Sequence, residues 1–172
     1  VAYFANLAGS AVGASNNVGL WAGSGAPTLI ARAGDAAPGT PALTVYTFFE
    51  NPALNDSGKL AFTAYVSGPT VDGLNNSGIW ATTSGALALF IRAGDAAPGA
   101  EANSNFVFFF QPCINNANQI AFEALLTGPS ITPTNTTGIW SSGSGSLALV
   151  ARTESHAPGT PVGVTFADLG GP

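Results

Sequence analysis

From Leu60 to Ser67 the chain alternates: Leu60, Phe62, Ala64 and Val66 are apolar and fall on one side of an extended backbone. The same beat returns at Ile120, Phe122, Ala124 and Leu126, and again at Val1, Tyr3, Ala5 and Leu7. Positions between them vary, so that Phe4, Thr63 and Glu123 are equivalent. A period of two with one apolar side predicts β-strands. No stretch carries a 3.6-residue apolar rhythm over ten or more positions, and almost no helix is expected.

The alternation belongs to a longer period. Gly78, Ile79 and Trp80 recur sixty residues on as Gly138, Ile139 and Trp140, with Gly19, Leu20 and Trp21 as an earlier copy. Arg32, Arg92 and Arg152 keep the same spacing, as do Pro38, Pro98 and Pro158, each followed by glycine. Each unit reads as four strands: an aromatic strand A (106–110), the alternating strand B (Leu60–Ser67), strand C (78–82) and strand D (87–93). Strand D ends on Gly94, Asp95, Ala96, Ala97, Pro98 and Gly99, where glycine and proline stop pairing and turn the chain. The expected fold is all-β: one repeat domain over 1–172, with units 1–53, 54–113 and 114–172. Three four-stranded antiparallel repeats are predicted as β-propeller-like blades, with a β-sandwich or stacked meanders as the alternative.

In this phase Val1 is the first residue of a strand B and Pro172 the last of a strand A. Strand order is therefore B-C-D, then A-B-C-D twice, then A. A strand-B edge without its partner is a row of unpaired backbone groups, a template for another strand. The expectation is that 164–170, with Val164, Phe166 and Asp168, pairs with Val1, Tyr3, Ala5 and Leu7 of another copy. Two copies would give a six-bladed ring, and a rotation that does not close would give a filament. The alternatives are a piece of a longer array and closure within one chain. The missing starting methionine and leader read as a processed or excerpted chain.

Composition narrows the function classes. Charged residues make up only 8%, and nine acidic against four basic side chains give a net charge of −5. That balance argues against nucleic acid, whose phosphates need clustered lysine and arginine, and against an anionic membrane surface. No apolar run reaches the roughly 20 residues of a spanning helix, so no membrane insertion is expected. Few lysines and abundant Asn, Ser, Thr and Gly suggest an extracellular or cell-surface setting. The single Cys113 excludes an intrachain disulfide and reads as a small buried filler.

One motif carries a resemblance. Asn55-x-x-Gly58-x-x-Ala61-Phe62 resembles the NxxGxxAF tandem-repeat surface proteins of bacteria, and the unit around it is similar to the TolB-type β-propeller repeat. The third unit has Asn118 where the motif has glycine, and the first lacks this turn. The resemblance implies an exported, surface-associated protein and brings no catalytic residues with it.

Candidate chemistry is sparse. His156 is the only histidine, the Asn-Asp-Ser-Gly turn lacks calcium-loop spacing, and no nucleophile–base pattern recurs, so neither an enzyme nor a cofactor is expected. Arg32, Arg92 and Arg152 read as strand-end bridges to carboxylates such as Asp35 and Asp95, and Trp21, Trp80 and Trp140 as packing residues. The same six residues are the candidate sugar-binding set if the protein is a lectin-like module. Asn55, Asn75 and Asn135 head Asn-x-Ser/Thr sequons and are candidates for glycosylation. The expected function is an extracellular, self-assembling structural repeat protein whose partners are copies of itself, with glycans as possible ligands.

Overall fold

The computed structural model describes the whole chain except Ser24, with Asn51 described by its backbone alone. All regular elements among the described residues are strands, and each sheet is an antiparallel meander in chain order. The first sheet holds β1 (Ala2–Asn6), β2 (Val18–Ala22) and β3 (Thr28–Arg32). The second holds β4 (Val45–Leu54), β5 (Leu60–Ser67), β6 (Ser77–Ala81) and β7 (Ala88–Arg92). The third holds β8 (Asn105–Phe109), β9 (Cys113–Ile114), β10 (Ile120–Thr127), β11 (Thr137–Ser141) and β12 (Ala148–Arg152), with β8 and β9 sharing one edge of β10. None of the sheets curls into a barrel. The protein is all-β, as the alternation predicted, and its sheets pack in the sandwich-like manner that stood as the alternative to propeller-like blades.

Registers repeat with the sequence. Tyr3 pairs with Trp21, Phe62 with Trp80, and Phe122 with Trp140. Each strand C–strand D hairpin slips by one residue next to its tryptophan, leaving Ile30, Phe90 and Val150 as the extra residue. A bulge of this kind re-aims side chains, and the alternation gave no sign of it. The glycine two residues before each tryptophan has a steric cause: a Cβ at Gly78 would lie 2.8 Å from the Ile91 carbonyl and 3.1 Å from the Trp80 ring. The indole lies flat where a side chain would stand.

The sheets stack face to face. Tyr46, Phe49, Phe62 and Trp80 of the second sheet pack on Leu20, Ala22 and Ala31 of the first. On its other face, Ala61, Ile79 and Ala81 meet Phe106, Phe109, Phe122 and Trp140 of the third. The middle sheet is therefore covered on both sides, and β6 is buried at all five positions. Within the faces that meet, the packing is aromatic: in the second sheet Trp80 meets Tyr46 edge-on at 5.1 Å and in the third Trp140 meets Phe106 at 4.8 Å, while Phe90 reaches across the junction to Phe122 at 6.3 Å. Ring pairs at such separations add to the area they remove from water.

Candidate assembly faces

Each unit has two unlike faces. The front carries the tryptophan, the aromatic or aliphatic residues of strand B and the strand-D leucine paired with the tryptophan, Leu29, Leu89 or Leu149. The back carries smaller residues and the bulged residue of strand D. Every internal junction sets a front face on the back face of the unit before it. Trp80 Nε1 donates to the Pro38 carbonyl and Trp140 Nε1 to the Pro98 carbonyl, both at 2.9 Å. Beside each of these prolines a glycine accommodates the next unit's leucine, since a Cβ on Gly39 or Gly99 would come within 2.7 Å and 2.9 Å of Leu89 and Leu149.

The strand A of each unit is anchored before it enters its sheet. Gly94 N donates to the Phe106 carbonyl and Phe106 N to the Asp95 carbonyl, joining the start of β8 to the loop of the preceding unit. Tyr46 holds the same place against Gly34 and Asp35. Residues 164–166 repeat this geometry on the third loop: Glu154 N donates to the Phe166 carbonyl, Phe166 N to the Ser155 carbonyl, and Thr165 bridges His156. Val164, Phe166 and Asp168 thus stand where a further strand A begins. Beyond them the chain runs past Glu123, with a Cβ on Gly171 falling 3.5 Å from its Oε2. Burial, and then the Asp168 charge, hold the Glu123 carboxyl above the usual glutamate range.

At the other end of the stack β1 pairs only with β2 among the described residues. Val1 exchanges hydrogen bonds with Gly23, and Leu7 N donates to the Asn17 carbonyl. Alternation along the antiparallel ladder turns the backbone groups of Val1, Tyr3, Ala5 and Leu7 toward β2 and those of Ala2, Phe4 and Asn6 outward. In β10 the equivalent outward group is the Glu123 carbonyl, which accepts from Phe110 N. Among the described residues the two termini do not pair with each other: β1 pairs with β2 alone, and 164–166 stay on their own loop.

The remaining candidates have structural placements. Trp80 and Trp140 are fully buried, whereas Trp21 is half-buried and stacks on Tyr3 at 5.9 Å. Arg32 and Arg92 do not bridge Asp35 and Asp95 through their guanidinium groups. Those carboxylates accept from the arginines' own backbone N–H, closing the turn, while Arg32 Nε and Arg92 Nε donate to the Asn16 and Asn75 carbonyls. Arg152 does form an ion pair, with Glu101, whose carboxyl is held below the usual range first by that hydrogen bond. Asn75 and Asn135 each lock a loop, with Oδ1 accepting from Asp72 N and Thr132 N and Nδ2 donating to the Thr70 and Ser130 carbonyls. Asn55 is buried and donates its Nδ2 to Asn115 and Asn118 of the next unit's turn. All three sequon amides are engaged. Asn118 takes φ +63° in place of the motif glycine.

Cys113 is half-buried on β9, not fully enclosed, because β9 lies at the sheet edge. A cleft of about 310 Å³ between the first two sheets is lined by Thr28, Ile30, Ser57, Lys59, Leu60 and Thr82 with alanine and glycines beside them, a set with neither a nucleophile–base pair nor two carboxylates. No group of three His, Cys, Asp or Glu side chains gathers as a metal site among the described residues. Across its whole length, residues 1–172, the sequence matches one family. The chain belongs to DUF7453, a family of unknown function. No curated protein matches it, and no solved structure does.

Proposed function

We propose that this DUF7453 chain is a self-assembling structural module of the cell exterior, a surface-layer or filament subunit joined by strand exchange between copies. The observation that carries the reading is the pair of complementary half-junctions. Residues 164–166 sit on the third loop as the start of a strand A, and β1 offers the strand-B edge that such a strand completes in the second and third sheets. By the β8–β10 register, Leu169 of one copy faces Ala5 of another, Asp168 faces Asn6, and Phe166 faces Leu7. The scarcity of charge and the resemblance to exported NxxGxxAF repeats support an external location. Of the three tryptophans only Trp21 shows an open ring, so a carbohydrate-binding role would have to act through it.

The test is light scattering after size exclusion on the intact chain and on one ending at Pro161. The intact chain is expected to run as a dimer or larger, and the shortened one as a monomer. Equal masses for the two would overturn the reading.

A further inference from the structure

The two outermost faces of the stack are the two halves of an internal junction. On the first sheet the front face carries Tyr3 (43% exposed), Trp21 and Leu29 (50% exposed). The positions equivalent to Tyr3 are Phe62 and Phe122, both fully buried, and those equivalent to Leu29 are Leu89 and Leu149, both partly covered. On the third sheet the back face carries Val150, 65% exposed, where Ile30 and Phe90 are packed against the next unit. Pro158 and Gly159 are exposed, whereas Pro38 and Pro98 are half-buried under a tryptophan. A Cβ on Gly159 meets nothing within 4 Å, in the place where Gly39 and Gly99 meet a leucine. Among the described residues Trp21 Nε1 has no acceptor and the Pro158 carbonyl no donor, while both homologous pairs inside the chain are made at 2.9 Å.

We propose that the front face of the first sheet docks on the back face of a second copy's third sheet, with Trp21 Nε1 donating to the Pro158 carbonyl and Leu29 closing over Gly159. The proposal rests on the self-assembly reading and adds to it a face and a register. In this arrangement Tyr3 meets Val150 as Phe122 meets Phe90. The strand leaving the third loop then reaches β1 without any rearrangement, because strand A and the front face it belongs to arrive together at both internal junctions. The two faces differ, so the contact is head-to-tail, and the rotation from one copy to the next decides between a ring and an open fibre.

Nitrogen-15-labelled intact protein followed by NMR over a concentration series tests this directly. Three indole N–H signals are expected, two of them slow to exchange with solvent at every concentration and the third slow only in the assembled protein. Leu29→Glu is expected to abolish both the assembly and that protection while leaving the far-ultraviolet circular dichroism unchanged. Val162→Glu, at a fully exposed loop position, is expected to leave both intact. Trp21→Phe keeps a ring and removes the donor, and is expected to weaken assembly roughly fivefold, the worth of one ordinary hydrogen bond. Suppose assembly is lost on ending the chain at Pro161 but survives Leu29→Glu, with the third indole still exchanging. Face docking is then overturned and strand exchange stands. A chain that is monomeric at every concentration overturns both.

Discussion

At position 46 the first repeat-to-repeat junction has a tyrosine where the second has Phe106, and the hydroxyl is stranded. It is buried without a partner among the described residues, and burial, followed by the Asp35 charge, pushes the phenol far above its usual range. An unpaired buried hydroxyl costs about 1–3 kcal/mol, so Tyr46→Phe is expected to stabilise the chain by about 1 kcal/mol in urea titrations. Glu123 poses the opposite problem, a carboxyl that resists ionising because it is desolvated and lies near Asp168. Its raised pKa means that native stability is highest while the group is protonated and falls as pH climbs from the ordinary glutamate range through the raised value. Glu123→Gln is expected to melt higher than wild type at pH 7, with the gap closing toward pH 4. A gap that stayed constant with pH would show that the charge is not its cause.

Strands were the most legible level. The alternation placed strand B over the residues that β5 occupies, and strands C and D within a residue or two of β6 and β7. Two features escaped it. The opposite side of strand B varies in type, yet Ala61 and Thr63 are buried, because the neighbouring sheet covers that side too, and a small or hydrogen-bonded residue satisfies the contact as well as a large one. The bulge beside each tryptophan leaves no trace in a two-residue rhythm, since it shifts pairing without changing residue type. Arg32 and Arg92 depart from the carboxylate bridge that Arg152 does make, for a related reason. Asp35 follows Arg32 by three positions, a spacing that suits a backbone turn at least as well as a side-chain bridge, and the turn is what forms. At this scale β1 offers a clean test. The N–H of Asn6 points away from β2, so Asn6→Pro should leave the monomer folded and block assembly, as edge positions with outward donors tolerate proline. Leu7→Pro should instead unfold the first sheet, because Leu7 N holds Asn17.

For the molecule as a whole, the sixty-residue period announced three units, and the chain delivers three sheets in that order. Which sides of those sheets touch was not legible, because front and back residues are both largely apolar and only the packing sorts Leu89 to one neighbour and Phe90 to the other. The phase of the repeat alone located the β1 edge and marked 164–170 as the equivalent of a strand A, of which only Thr165 forms a bridge, to His156. The exposure of Trp21, Leu29 and Pro158 was not legible, since a tryptophan that packs in two units out of three gives no hint from its own sequence context that the third is less covered.

The doubly covered middle sheet has one more consequence. In a linear stack each layer draws its stability from its neighbours, and the inner layer has two of them. Hydrogen–deuterium exchange should therefore be graded along the chain, slowest in β5 and β6 and fastest in β1 and β12, with mass spectrometry of peptides as the readout. Joining copies would give the outer layers a second neighbour as well, flattening the gradient and making every layer an interior one.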